Sequence, residues 1–443
     1  MNNKLEKERI SKLMFQYCFP SVLSMWIFST YGIVDGFFIS NYLGESALAS
    51  INITLPFINF AFAIGIMVSV GAGTIIGIRL GEKKYKESCY FYSLAIQLLI
   101  LFGIIISFIG IFFNQEIVLL LGATSKIAQG SATYLGTVSL FILTFILGYG
   151  LEVFVRIDGS PSYSIICLVI GAFTNVILDY VFIYKLNLGI RGAALATGIG
   201  QASTIIPLVY YLKVKRMKLH FNFAKFNLTP IKNIFFNGSP EFVTEITTAF
   251  LIVTFNMNII KIIGEKGIAS FGIISYFSTF VTMTMIGFAQ GIQPIISYNL
   301  GAKKNHRILE ILKKSFYSLI ILGVSFYGII NLFSDNIISL FISNNEDLSI
   351  LTKSTITYYS FTYLFTGISI LGTSFLTAVE ESFKSNLLSI FKGIILINIL
   401  LLTLPKLLGI NGLWLSSSIN EFIVAIISIY TIKIYIKKWE QPI

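Results

Sequence analysis

Residues 14–42, MFQYCFPSVLSMWIFSTYGIVDGFFISNY, form the first long apolar run of the chain and indicate its fold class. The run is long enough to cross a bilayer as a helix, which takes about 20 predominantly apolar residues. It also carries a proline, Pro20, and a carboxylate, Asp35. A charge within hydrocarbon is costly, so Asp35 requires a partner, a proton or a cation. Asp35 is therefore the first candidate functional residue.

The composition of the whole chain agrees with a protein built from such runs. Of its 443 residues, 55% are hydrophobic and 12% are charged, and the mean hydropathy is +0.81. Soluble cores of ordinary size cannot hide that much apolar surface. The apolar residues fall in runs of helix-span length and not in the ~10-residue alternation of a membrane barrel. We therefore predict an all-α integral membrane protein whose first run is retained as a span.

Charged breaks between the apolar runs predict twelve spans. The predicted spans are 13–41, 50–78, 90–113, 130–155, 162–184, 191–212, 235–260, 268–299, 314–333, 353–379, 385–404 and 411–436. With the N-terminus placed inside, 25 of the 32 Lys and Arg residues, Lys384 and Lys392 among them, lie in inner segments. The positive-inside rule then predicts that both termini are cytoplasmic. Basic loops that face an anionic leaflet account for the net charge of +11 without a nucleic-acid partner.

The two halves of the chain repeat each other at a constant distance of 220 residues. The sequence RLGEKK at 79–84 recurs as NLGAKK at 299–304, and LGIRG at 188–192 recurs as LGING at 408–412. We predict a tandem duplication of six spans, with an N-terminal lobe over 1–213, a cytoplasmic linker over 214–232 and a C-terminal lobe over 233–443. An even number of spans gives both copies the same orientation, and such repeats commonly enclose a central cavity.

Polar residues of the first half lie at similar depths in their spans. The depths, at ~1.5 Å of helix per residue from the outer ends, are roughly 9 Å for Asp35, Asp179 and Thr197, roughly 12 Å for Tyr134 and roughly 15 Å for Asn175. Asn175 and Asp179 also share one helix face. If these spans converge, their oxygens suit a hard cation such as Na+, and the paired carboxylates suit a proton. The alternative is a set of hydrogen bonds that only pins helices together.

The second half lacks these carboxylates, since Asp35 corresponds to Phe255 and Asp179 to Ile399. It offers other candidates, which we place in the substrate cavity. Glu241 and Glu245 share one face near the start of span seven, with Glu245 roughly 15 Å deep. They could be a counter-charge for a cationic substrate or a carboxylate pair that complements a helix dipole.

Three further side chains of span eight could line the same cavity. Met283 offers an adaptable apolar surface, and Gln290 and Gln293 offer amides. Core packing is the alternative for each of them. The three cysteines and two histidines have no spacing that implies a disulfide or a zinc site, so we predict no cofactor other than a coupling ion.

Several motifs resemble those of the multidrug and toxic compound extrusion (MATE) family. They are DGFFIS at 35–40 with Leu-Gly at 43–44, Leu-Gly at 80–81, the stretch 175–179, and GIRGAA at 189–194. The similarity covers about residues 15–435 and is greatest to the bacterial DinF-like and MepA-like branch. The resemblance implies two six-helix lobes around a V-shaped central cavity, and export of cationic, amphipathic drugs driven by inward H+ or Na+.

The resemblance also implies a cation site in the N-terminal lobe. Matched motif by motif, that site consists of Asp35, Tyr134, Asn175, Asp179 and Thr197. Na+, if it is the coupling ion, would bind at Asp35, Asn175 and Asp179. We expect a monomer in the bacterial cytoplasmic membrane whose partners are small cationic molecules and membrane lipid.

Other functions remain as alternatives at this point. A flippase for lipid-linked oligosaccharide precursors would need a cavity rich in Lys and Arg, whereas nearly all basic residues lie in loops or at span ends. A membrane-embedded enzyme is disfavoured because paired His or Cys ligands and a sizeable soluble domain are absent from the sequence. A passive channel is disfavoured by the two-repeat layout. The leading prediction is a cation-coupled antiporter.

Overall fold

The chain is folded almost entirely as helix in the computed structural model, which describes residues 4–214, 219–342 and 345–440. No strand occurs in these three ranges. The helices of the first half are α1 (Lys4–Lys7), α2 (Ile10–Leu43), α3 (Glu45–Asn52), α4 (Leu55–Gly81), α5 (Tyr85–Phe112), α6 (Asn114–Leu120), α7 (Ala128–Ser139), α8 (Ile142–Ile157), α9 (Pro161–Asp179) with a π-helical extension (Tyr180–Lys185), and α10 (Gly189–Val214).

The second half is also built almost entirely from helices. Its helices are α11 (Leu228–Ile262), α12 (Glu265–Gly301), α13 (Asn305–Leu332), α14 (Ser334–Phe341), α15 (Glu346–Tyr359), a 3-10 turn (Ser360–Thr362), α16 (Tyr363–Ala378), α17 (Ser382–Ile390), a π-helical turn (Phe391–Leu396) and α18 (Ile397–Glu440). The predicted all-α class is confirmed.

The number of membrane spans agrees with the prediction of twelve. Ten helical stretches in the described residues are long and apolar enough to cross a bilayer, and α7 with α8 forms one more span with a bend of 49°. The last stretch, Ser382–Trp439, has 58 residues, about twice what one crossing needs. It contains a non-helical residue, Gly409, at φ 60° and ψ −141°. We therefore count it as two spans.

The backbone repeats with the same 220-residue period as the sequence. Gly44 and Gly264 begin equivalent helices with φ values of 82° and 86°, and Gly189 and Gly409 have φ values of 61° and 60°. A left-handed conformation is easily reached only by glycine, so these four positions had to keep that residue in both copies. The period also relates α5 at 85–112 to α13 at 305–332. The duplication is therefore a property of the fold.

Over the described residues the chain divides into two compact units. One consists of Phe15–Phe242, and the other combines Met1–Met14 with Val243–Ile443. The passage from one unit to the other thus falls inside α2 and inside α11. The lobe boundaries derived from the repeat, at 213 and 233, stay a prediction about the duplicated segments.

Each unit is organised around the fourth span of its repeat. In the first unit α8 packs against α4, α5 and α10, and in the second unit α16 packs against α12, α13 and α18. Small residues allow close approach in both. For example, a Cβ on Gly150 would meet Leu99 and Ser69, and a Cβ on Gly372 would meet Ser428. The two repeats thus bury equivalent helices.

The first part of α11 crosses α4 inside the first unit at a pair of glycines. A Cβ added to Gly238 would collide with the backbone carbonyl of Met67, and one added to Gly71 would collide with the carbonyl of Ile234. Backbone atoms cannot swing aside as side chains can, so the crossing depends on both glycines.

We expect Gly238→Val to destabilise the protein by roughly 1–3 kcal/mol or more, because the added carbons force the two helices apart. Gly272→Val is the matched control, since a Cβ on that helical glycine would meet nothing within 4 Å. Thermal unfolding in detergent, followed by loss of monodispersity, measures the difference. Equal melting temperatures for the two variants would show that the crossing is not tight.

Candidate cation-binding site

Four helices of the first unit bring the five predicted cation-site residues together. Asp35 lies on α2, Tyr134 on α7 and Thr197 on α10, while Asn175 and Asp179 lie one turn apart on α9. The carboxyl groups of Asp35 and Asp179 are within hydrogen-bonding reach of each other, and the Asn175 side chain is next to Asp179. The Tyr134 hydroxyl contacts Thr197 and lies near both carboxyls. The predicted convergence of the spans is therefore present.

Most polar atoms of this cluster are buried without a hydrogen-bond partner. Asn175 and Asp179 are completely buried, and Thr197 is 9% exposed. Asp35 Oδ1, both Asp179 oxygens, both polar atoms of the Asn175 side chain and Thr197 Oγ1 lack a hydrogen bond of normal geometry to any described residue. Two carboxylates that face each other cannot donate to each other, so their proximity leaves the oxygens unsatisfied. The arrangement is one that a proton or a cation would complete.

No basic side chain compensates the two carboxyls. Among the described residues neither Asp35 nor Asp179 forms an ion pair with Lys or Arg. A pair of unneutralised carboxylates in a membrane span is strongly disfavoured. The cluster therefore differs from a set of hydrogen bonds that pins helices together, in which donors and acceptors would be matched.

The local sequence explains how α9 and α10 approach closely enough to form the site. A Cβ on Gly200 of α10 would lie 2.7 Å from the Asn175 Cβ and 3.1 Å from the carbonyl oxygen of Gly171 on α9. Glycine thus lets the two backbones pack beside Asn175. Directly after Asp179 the helix changes to a π-helical turn, Tyr180–Lys185, an irregularity that is frequent at functional sites.

A buried apolar cluster lies one helical turn from the polar residues, on the side predicted to be the outer one. Ile39 follows Asp35 by four residues, Ile183 follows Asp179 by four, and Ala193 precedes Thr197 by four. All three belong to one buried cluster, which also contains the ring of Tyr134. This cluster separates the carboxyls from that end of the spans, so the site is not an open surface feature.

The equivalent place in the second repeat is filled by aromatic rings. Phe255, the counterpart of Asp35, is 1% exposed. Its ring centroid lies 5.0 Å from Phe271, 6.1 Å from Tyr359 and 6.1 Å from Trp414. These rings form a hydrophobic core with no space for an ion and its ligands. The candidate cation site therefore exists in one repeat only.

The predicted substrate-cavity residues lie on two helices, α11 and α12. Met283, Gln290 and Gln293 lie on α12, where Gln293 is buried with its amide nitrogen unpaired among the described residues. Glu241 and Glu245 lie on α11 at either side of the point where the chain passes between units. Helix α11 begins at Leu228, before the predicted span, so Glu245 lies roughly 25 Å along the helix. Their role stays a prediction.

Sequence reasoning missed a charged group inside the second unit. Lys392 Nζ lies 2.7 Å from Glu421 Oε1 and 3.0 Å from the hydroxyl of Ser369, which in turn donates to the other oxygen of Glu421. Lys392 lies within the predicted span 385–404 but is counted above among the inner segments; the structure places it in the π-helical turn of that span, so the count is wrong for this lysine. The constant 220-residue offset could have found the pair, because its counterparts are the uncharged Ala172 and Gln201.

A second missed carboxylate lies in the first unit, beside a small cavity of about 40 Å³. Glu152 lines this cavity together with the rings of Phe28, Phe62 and Tyr149, and pairs with Arg156 at 3.1 Å. The volume is about that of one or two water molecules. Aromatic rings with one carboxylate are a combination that attracts organic cations, although this space would have to widen to hold one.

The fold and site together define a class of protein, a polytopic membrane transporter made of two six-helix repeats. Comparison with known families makes the class specific. A model of the MatE family matches the chain twice, over residues 20–181 and 240–404, once in each repeat. The chain belongs to this family of multidrug and toxic compound extrusion transporters. The resemblance seen in the motifs is confirmed, as is the prediction that the protein is not an enzyme.

Individual relatives align with almost the whole length of this chain. The multidrug export protein MepA of Staphylococcus aureus (strain bovine RF122 / ET3-1) is 28% identical over 426 residues, which are 95% of this chain and 93% of that protein. MepA of Staphylococcus haemolyticus (strain JCSC1435) is 28% identical over 429 residues, or 96% and 94%.

Solved structures show the same fold. An outward-facing multidrug resistance MATE family transporter of the MOP superfamily superposes with a TM-score of 0.93 at 19% identity, covering 99% of this chain and 98% of that one. A MOP superfamily transporter from Pyrococcus furiosus gives a TM-score of 0.91 at 19% identity, with the same coverage. The two-lobe architecture predicted from the repeat is thereby confirmed.

We expect Glu421→Gln to lower stability by about 1–3 kcal/mol, because it leaves the partly buried ammonium group of Lys392 without its counter-charge. The double variant Lys392→Met/Glu421→Gln should recover most of that loss, since it removes both charges together.

The matched control is Lys353→Met/Asp335→Asn, which removes an ion pair of 2.7 Å whose side chains are 56% and 74% exposed and should change stability little. Thermal unfolding of the purified variants in one detergent provides the comparison. If Glu421→Gln melts with the parent, Lys392 and Glu421 are not a coupled buried pair.

Proposed function

We propose that this protein is a cation-coupled antiporter that exports cationic, amphipathic compounds across the bacterial cytoplasmic membrane, with both termini in the cytoplasm. The observation that carries the proposal is the Asp35–Asp179 carboxyl pair, in which Asp35 Oδ1 and both Asp179 oxygens are buried and unsatisfied and no basic partner occurs among the described residues. The names of the staphylococcal relatives support multidrug export as the cargo class.

The carboxyl pair would supply the binding site for the coupling ion. With one proton shared between Asp35 and Asp179, or with Na+ held by their oxygens and those of Asn175, the cluster loses its excess negative charge. Thr197 and Tyr134 would complete the shell with hydroxyl oxygens. The filled and empty clusters differ in charge, so they favour different arrangements of the helices that carry them.

Helix α2 is the element that this change would move. It carries Asp35, while the other four residues lie on α7, α9 and α10. Of the ten candidate spans it is the least buried, with 12% of its apolar window buried against 78% for the stretch Glu45–Gly81. Filling the site would hold α2 against α9, and emptying it would free α2. Export results if the substrate binds best to the arrangement that the coupling ion disfavours.

We expect Asp35→Asn and Asp179→Asn each to reduce gradient-driven dye efflux by ~10-fold or more, because an amide can neither release a proton nor neutralise a cation. Asp347→Asn is the control, because that carboxylate is 80% exposed and pairs with Lys266 at the surface. Efflux of a fluorescent organic cation from proteoliposomes provides the measurement. Unchanged transport by both site variants would exclude this coupling site.

Separate gradients distinguish the two coupling ions. Proteoliposomes are given either a proton gradient without Na+ or a Na+ gradient at equal pH on both sides, and dye efflux is followed in each. We expect efflux with one of the two gradients and its loss in the Asp179→Asn variant. Efflux that needs neither gradient and only follows the dye concentration would identify a passive pathway and contradict antiport.

The flippase alternative is tested with the same preparation. A flippase would move fluorescent lipid-linked oligosaccharide between leaflets and leave organic cations inside the vesicles. We expect the opposite pattern, because the only carboxyl pair without a basic partner that we find among the described spans provides negative charge, which disfavours a pyrophosphate. Lipid scrambling without dye efflux would overturn the proposed cargo.

A further inference from the structure

A second cavity, separate from the candidate cation site, lies at one end of the first unit. The first two turns of α5 provide one wall, with Tyr85, Lys86, Cys89 and Tyr90 among the lining residues. The other wall is the segment 219–227, which has no regular secondary structure and contributes His220, Asn222, Phe223 and Ala224. The cavity is open to the surface on one side, and its volume is about 580 Å³, within the range that small-molecule ligands occupy.

The segment 219–227 is fixed to α5 by backbone hydrogen bonds, so the cavity is a built feature. The Asn222 amide donates to Ser93 Oγ at 3.0 Å, and the Ala224 amide donates to Gln97 Oε1 at 3.1 Å. The Tyr90 hydroxyl donates to the carbonyl oxygen of Lys225 at 2.9 Å. These contacts lie along successive turns of α5 and hold the segment beside it.

The cavity carries positive charge that nothing in the described structure neutralises. Lys86 forms no ion pair with any described residue, and no carboxylate is among the lining residues described. The two nearby carboxylates are occupied elsewhere: Glu87 lies 3.1 Å from Arg79, and Glu82 lies 2.7 Å from Arg79 and 3.0 Å from Lys84. The cavity is therefore complementary to an anion.

Glu82 is held in its ionised form by these partners. Partial burial alone would raise its pKa, but hydrogen bonds and charge from Arg79 and Lys84 bring the pKa below its ordinary value. It therefore remains a partner for those two cations at neutral pH and leaves Lys86, the lysine of this stretch that lines the cavity, without an ion pair in the described structure.

The rim of the cavity is apolar and lies where a span meets the membrane surface. Phe223 lines the cavity and is 87% exposed, and Phe221 and Phe226 beside it are 42% and 58% exposed. Aromatic rings at the end of a membrane helix are typical of the bilayer interface. A soluble anion would leave these rings in water, whereas a lipid would cover them with its acyl chains.

We propose that this cavity binds the headgroup of an anionic phospholipid, with Lys86 on the phosphate and the aromatic rim of Phe221, Phe223 and Phe226 against the glycerol and acyl chains. This end of the unit is the side that the distribution of basic residues predicts to be cytoplasmic, where anionic lipids are concentrated. The proposal does not depend on the coupling ion or on the exported compound.

Cys89 provides a built-in reporter, because it lines the cavity while the other two cysteines, Cys18 and Cys167, are buried. The experiment uses full-length protein with Cys18→Ala and Cys167→Ala, reconstituted in nanodiscs of phosphatidylcholine alone or with phosphatidylglycerol. We expect phosphatidylglycerol to slow maleimide labelling of Cys89 about fivefold, and Lys86→Gln to remove most of that protection, in keeping with the energy of one lysine near an anionic lipid.

Lys232→Gln is the matched control, since it removes an exposed positive charge from the same unit but outside the cavity, and it should keep the protection. Phe223→Ser is a second variant that should weaken protection without changing charge. Melting temperatures in phosphatidylcholine confirm that each variant is folded.

Two results would overturn the proposal. Equal protection by phosphatidylcholine and phosphatidylglycerol would mean that lipid covers the cavity without recognising charge. Equal protection by inorganic phosphate or glycerol phosphate, added to phosphatidylcholine nanodiscs, would assign the cavity to a soluble phosphate compound and not to a lipid.

Discussion

The contact between Asp35 and Asp179 places two carboxyl groups together within membrane spans, which is energetically unfavourable. Neighbouring features of the first repeat determine the surroundings of this pair. Gly200 lets α10 approach α9 beside Asn175. A buried apolar cluster, which includes Ile39, separates the carboxyls from one end of the spans. No described basic residue is paired with them, so two ionised carboxyls would be strongly disfavoured there without a proton or a cation.

The second repeat fills the equivalent position with apolar side chains. Where the first repeat has Asp35, it has Phe255 in a cluster of aromatic rings that needs no ion. Its own charged pair, the partly buried Lys392 and the buried Glu421, is neutralised at a distance of 2.7 Å. A duplicated fold therefore carries an unpaired charge cluster in one copy and a paired one in the other. Under the proposed function, this asymmetry would let one lobe respond to an ion while the other stays unchanged.

The fold was largely predictable because membrane spans are recognised by length and apolarity alone. The predicted helix bounds differ from the observed ones where a span is broken or where a helix continues into a polar stretch. The fourth span is broken between Ser139 and Ile142, and α11 begins at Leu228 in a stretch with polar residues. Lys392 was counted with the inner segments although it falls within the predicted span 385–404, and only its contact with Glu421 reveals its partner inside the unit.

The sequence by itself determined the class, the twelve spans, the duplication and the identity of the five residues at one depth, since each follows from spacing along the chain. Only the tertiary structure decided which of these residues meet and which polar atoms remain unpaired, because helix rotation and interhelical distance are set by packing at positions such as Gly200. The cavity beside Lys86 is likewise a feature that only the tertiary structure reveals. It is formed by α5 and the segment 219–227, which are more than 100 residues apart in sequence and meet only in the fold.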